Sequence, residues 1–97
     1  MKIEVIDLRL IERGVKGFAD IMLDTTEGNI IVKDFKITQH NGRPTVEVPH
    51  TTYKRNGQIL FNPIITFPDE LKVKIDTAIL ATYFREKEKT PHAADAQ

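Results

Sequence analysis

The chain contains no cysteine. A disulfide framework, a thiolate zinc site and a cysteine nucleophile are therefore excluded at the outset. No apolar run approaches membrane-spanning length. The chain opens with Met-Lys-Ile-Glu-Val directly in a strand pattern, so no signal peptide is expected ahead of the fold. These absences lead to the expectation of a soluble, cytoplasmic protein that engages no membrane. Charge of one sign is not in excess either: fourteen acidic residues balance fourteen basic ones, for a net charge of zero. No global field draws the molecule toward nucleic acid. A glycine-rich phosphate loop and a nucleophile elbow are also missing. At 97 residues there is room for one domain with a modest core, and not for two.

Helical periodicity is scarce too, and the one segment that has it organises the rest. Residues 67–88 carry Pro68 near their start, whose missing N–H costs nothing in a first turn, followed by Asp69 and Glu70 at the positive end of the helix dipole. Thr66 and Asp69 have the spacing of a capping box. At about 100° per residue, Leu71, Ile75, Ala78, Ile79 and Thr82 share one stripe. Val73, Leu80 and Phe84 fall roughly opposite, with Tyr83 to one side. A second apolar stripe needs its own cover. The chain has no other helix to provide it, so a second copy is expected to pack there, through Val73, Leu80 and Phe84.

Ahead of the helix, turn signals divide the chain into strands. Residues 3–11 alternate Val5, Asp7 and Arg9 with Ile6, Leu8 and Leu10. Gly14 and Gly17 bracket a turn. Residues 18–24 form a second strand with Ala19, Ile21 and Leu23 on one face. Residues 30–38 form a β-branched third strand. Asn41-Gly42 is a hairpin signal, followed by a fourth strand at residues 45–48 that Pro49 stops. Asn56-Gly57 precedes a fifth run, residues 58–61. The expected fold is α+β: an antiparallel meander of about five strands and one C-terminal helix. It occupies residues 1–89 as a single domain, dimerises through the helix and possibly the sheet, and leaves a disordered tail at 90–97.

The pattern also assigns faces. Ile6, Leu8, Leu10, Ile21 and Leu23 should lie beneath the Leu71, Ile75 and Ile79 stripe. Asp7, Arg9 and Asp20 should share the outer face with Val5, Phe18, Met22, Ile30 and Val32. Lys33 is out of step, falling in register with Ile31, Phe35 and Ile37, so it requires either a strand end or a bulge.

Chemistry-bearing residues are sparse. His40, His50 and His92 show no ligand spacing. Asp7, Asp20, Asp24 and Asp34, interleaved with Arg9 and Lys36, read as paired charges on a sheet face. No catalytic residue, metal ligand, cofactor or small-molecule substrate is assigned, and the protein is expected not to be an enzyme. Residues 33–61 carry the one basic excess: Lys33, Lys36, Arg43, Lys54 and Arg55 against Asp34 and Glu47, net +3.

Several of these stretches occur together, in this order, in one family. Val5-Ile6-Asp7-Leu8-Arg9-Leu10, Ala19-Asp20-Ile21-Met22-Leu23-Asp24, Ile30-Ile31-Val32-Lys33-Asp34-Phe35-Lys36-Ile37, Pro63-Ile64 and Ile75-Asp76-Thr77-Ala78-Ile79-Leu80-Ala81-Thr82-Tyr83 resemble the SpoVG family, the stage V sporulation protein G or septation proteins. Between Pro49 and Pro63 the chain departs from that pattern: His50-Thr51-Thr52-Tyr53 follows the proline, the basic pair is displaced to Lys54-Arg55, and Ile59-Leu60-Phe61 replaces an Arg-Asp-Ile run. The resemblance implies a small homodimer that binds DNA or RNA and acts as a regulator linked to septation and sporulation.

Two binding classes follow for the basic third of the chain. In one, Arg43, Lys54 and Arg55 at hairpin tips, with Lys36 or Lys33 behind them, touch nucleic-acid phosphates weakly while Tyr53 stacks on a base. In the other, the sheet or its loops bind a protein of a division or regulatory pathway, as an adaptor would.

Overall fold

Residues 1–11 and 14–89 are described by the computed structural model of the chain; the expected disorder of residues 90–97 lies outside them. The elements run β1 (Lys2–Leu10), β2 (Gly17–Thr25), β3 (Gly28–His40), β4 (Arg43–Glu47), β5 (His50–Arg55), β6 (Gln58–Pro63) and α1 (Asp69–Lys89). The class is α+β, antiparallel strands followed by one helix. Strands β1 to β4 form one sheet in chain order, whereas β5 and β6 pair only with each other. The meander thus ends at β4, and a separate two-stranded ribbon follows. β5 escapes a reading by periodicity because His-Thr-Thr-Tyr-Lys-Arg has no apolar alternation. It forms because Asn56 and Gly57, at φ 51° and 80°, make the type I′ turn whose twist suits paired strands. Asn41 and Gly42, at φ 53° and 79°, do the same between β3 and β4.

Two bulges set the faces of the main sheet, and both stand against Asp20. Ile6 is the extra residue on β1, between the pairs Val5 with Ile21 and Asp7 with Asp20. On β3, Lys33 and Asp34 together oppose the single Asp20, between the pairs Ile21 with Val32 and Ala19 with Phe35. Asp34 takes φ 65°, a conformation that a short polar side chain tolerates. Each bulge shifts the alternation by one and moves side chains to the other face. Four of the expected faces are corrected in this way. Val5 and Val32 pack inward, Ile30 turns to the same face opposite Leu23 though it stays exposed, and Ile6 is exposed. Leu10 keeps the face of Leu8 but is exposed at the end of β1, opposite Gly17. The misfit of Lys33 is resolved by the second bulge.

The core lies between this sheet and α1. It comprises Ala19, Ile21 and Leu23 of β2, Val32, Phe35 and Ile37 of β3, Val46 of β4, and Ile75, Ile79 and Tyr83 of the helix. Phe67 stacks on Phe35 with ring centroids 5.9 Å apart. Tyr83, expected beside the stripe, is a core residue at 4 % exposure, and Thr82 is half-buried. The helix begins one residue later than its proline. The Lys72 N–H donates to the Pro68 carbonyl at 2.9 Å, which makes Pro68 the cap; Thr66 makes no capping bond among the described residues. Lys72 also fastens α1 to the outer edge of β4: its ammonium donates to the Val46 carbonyl at 3.1 Å and to the Asp76 carboxylate at 2.7 Å.

Candidate nucleic-acid interface

β3 is longer than its neighbour. β4 pairs with it only from Lys36 to His40, while β2 pairs along it as far as Gly28. Residues 28–34 therefore have a strand on one side and none on the other. Beyond that open edge the chain leaves β4 at Pro49, runs out through the ribbon and returns at Ile64. The Ile64 N–H closes the base of the ribbon on the Pro49 carbonyl at 2.9 Å. The result is a groove of about 660 Å³ between the edge of β3 and the base of the ribbon. Consecutive residues 30–34 all line it, although their side chains alternate, so it follows the strand's edge and not one face. Phe18, Ile31 and Ile64 make it apolar; Arg9, Lys33 and Lys36 bring positive charge; His50 also lines it.

The three cations are not equivalent. Arg9 is committed to structure. Its guanidinium donates to both carboxylate oxygens of Asp20, at 3.0 and 3.1 Å, and to Asp34 at 3.0 Å, and it pairs with Asp7 as well. The hydrogen bonds to Asp20 and then to Asp7 drive its pKa above an already high value. The same bond, joined by the Asp34 N–H at 2.9 Å and by the charges of Arg9 and Lys33, holds Asp20 below the ordinary carboxylate range against the opposing effect of burial. The acidic residues that sequence places as paired charges on an outer face are thus, at Asp20, a buried lock at 8 % exposure. Asp20 satisfies the Asp34 N–H within the β3 bulge. Lys33 and Lys36 make no salt bridge among the described residues, so they are the groove's available cations. Lys36 lies opposite Phe18 on one side and Glu47 on the other.

The ribbon carries the remaining candidates. Cross-strand pairing puts Arg55 with Gln58 and Tyr53 with Leu60 on one face, and Lys54 with Ile59 and Thr52 with Phe61 on the other. Lys54 and Arg55, adjacent in sequence, therefore project from opposite faces. Tyr53, Ile59 and Phe61 are exposed at 46, 70 and 50 %. At the base, the His50 ring lies 4.3 Å from that of Phe61, and its Nδ1 is 2.7 Å from the Val48 carbonyl. Neither Lys54 nor Arg55 forms a salt bridge among the described residues.

Arg43 does not join them. It opens β4 beside the Asn41-Gly42 turn, in the main sheet, and it lines no part of the groove. Of the sequence candidates, Lys33 and Lys36 belong to the groove, Tyr53, Lys54 and Arg55 to the ribbon, and Arg43 to neither. Phe18 and His50 were not identifiable as site residues by spacing. On the helix, Val73 and Phe84 are exposed at 63 and 47 %, but Leu80 packs in part against the chain's own core. The second stripe is narrower than the helical wheel implies.

Among the described residues, no cluster of His, Asp and Glu could hold a metal ion, and no helix is long and apolar enough to cross a membrane. A scan against protein-family models found none that matches this chain, and a search of curated proteins found no match.

Proposed function

We propose that the chain is a non-enzymatic, homodimeric nucleic-acid-binding protein of regulatory role, with the groove and the β5–β6 ribbon as its binding surface. One observation carries the reading. Four cations that form no salt bridge among the described residues stand on adjoining surfaces: Lys33 and Lys36 line an apolar groove, and Lys54 and Arg55 lie on the two faces of the ribbon at its edge, beside the exposed Phe61 and Tyr53 respectively. Cations contribute phosphate contacts and rings contribute stacking; nucleic-acid recognition uses both. The resemblance to SpoVG proteins supports the same reading and supplies the expected link to septation and sporulation control. The exposed Val73 and Phe84 on the back of α1 support pairing with a second copy, which would double the basic footprint.

The test is binding to labelled DNA and RNA at two salt concentrations. Each neutralised phosphate releases counterion, so the log–log slope should be about −0.7 per contact on a single strand and about −0.9 on a duplex. Affinity should be weak, because net charge is zero, and should be lost at high salt. A second reading has its own observation, the open edge at residues 28–34 with Ile30 and Ile31 half exposed. Such an edge accepts an extended protein segment by strand addition, as an adaptor would, and complexes of that kind would survive the salt that dissolves phosphate contacts.

A further inference from the structure

We infer that this surface selects single-stranded over duplex nucleic acid, which rests on the nucleic-acid reading above and goes further. In a duplex the π-faces of the bases are buried in the stack, so an exposed ring gains little from them. Unpaired bases offer both faces. The ribbon exposes Tyr53 on one face and Phe61 on the other, each with a cation on its own side, Arg55 and Lys54. A ribbon built to enter a major groove reads base edges with hydrogen-bonding side chains. Here the exposed residues on the Lys54 face include Ile59 and Phe61, which have none to offer.

Charge argues the same way. A duplex carries one phosphate charge per about 1.7 Å of axis, and proteins bind it with broad basic surfaces. This chain has no net charge, and the cations of this surface are few and separate, Lys33 and Lys36 at the groove and Lys54 and Arg55 on the two faces of the ribbon. So small a set suits a thread better than a broad cylinder. The groove, about 660 Å³ with Phe18 and Ile31 in its wall, has the volume of a site for one small ligand, such as a nucleotide with its base turned inward.

The experiment compares an unstructured oligothymidine strand of about 16 nucleotides, within the range of single-strand site sizes, its oligouridine counterpart, and a duplex of equal length. All are titrated at low salt with the wild type, Tyr53→Ala, Tyr53→Phe and the double variant Lys54→Ala/Arg55→Ala. At least one strand should bind about tenfold or more tightly than the duplex. Tyr53→Ala should weaken that binding by about five- to a hundredfold, whereas Tyr53→Phe, which keeps the ring, should stay near wild type. The double variant should make the single-strand salt slope shallower by about 1.4. Tyr53 is exposed, so each variant's melting temperature should match the wild type and confirm that folding is intact. Equal or tighter duplex binding overturns the inference while leaving nucleic-acid binding in place, and so does strand binding that Tyr53→Ala does not weaken. Absence of binding to every probe overturns the nucleic-acid reading itself, and this inference with it.

Discussion

Asp20 stands where the two bulges of the main sheet meet, and the sign of its pKa shift makes a measurable demand. Its carboxyl group loses its proton more readily in the folded chain than in the unfolded one. Between the two values the unfolded state binds more protons, so stability rises with pH through that window and is fully present above it. As pH falls through the depressed folded value, the contribution disappears. Asp20→Asn should therefore cost about 1–3 kcal/mol at neutral pH, and the gap to wild type should close in acid. The figure lies below that of a fully buried ion pair because the Arg9 side chain is 40 % exposed and water screens it. Urea unfolding at several pH values checks both parts; a gap that persists in acid would contradict the account. Gly17 makes a second demand on the same strand pair. A Cβ there would meet the Arg9 carbonyl oxygen of β1 at 2.6 Å, and backbone cannot swing aside as a flexible side chain can. Gly17→Ala should destabilise by about 1–3 kcal/mol, read as a lower denaturation midpoint.

Among the elements, α1 and the ribbon behave oppositely. α1 is held by its core stripe, so Ile75→Ala should cost about 2–5 kcal/mol through the cavity it leaves. A loss near zero would mean that the helix face is assigned wrongly. The ribbon is held by its turn and its base, and nearly all its residues are exposed. Lys54→Ala/Arg55→Ala should leave the melting temperature nearly unchanged while altering any binding. The same contrast explains what the sequence made legible. The helix announces itself by a period of 3.6 with acidic residues at its start, and Ile75 and Ile79 are buried as that period requires. β5 has no such period, since neither face of an isolated ribbon is covered and no alternation is required of it. The inner face of β1 could not be read from alternation alone, because the bulge at Ile6 depends on Asp20 and Arg9, which are distant in sequence from one another. Of the site, the basic residues were visible as a local excess. Their division between groove, two ribbon faces and a separate hairpin tip was not, because it follows from strand pairing.

The whole molecule is a thin slab, 44 × 44 × 19 Å, one sheet and one helix deep. The back of that helix is where a second copy is expected. Leu80 is a poor probe of it, since part of its side chain supports the chain's own core. Phe84→Glu is cleaner: at 47 % exposure it should leave the monomer folded. The wild type should sediment at twice the chain mass at micromolar concentration and the variant at the single mass. A wild type that is already monomeric would remove the dimer from the proposal. The order of the sheet has one more consequence, for how the molecule comes into being. Strands β1 to β4 are neighbours in space in the order they occur in sequence, so each pairing closes only a short loop, and short loops close fast. The element that covers their apolar side comes last in the chain and must reach back to β1. During synthesis the sheet can thus assemble strand by strand, but Ile21, Phe35 and Ile37 wait uncovered until α1 has left the ribosome, and a chain released before that point would meet other chains with its greasy side bare.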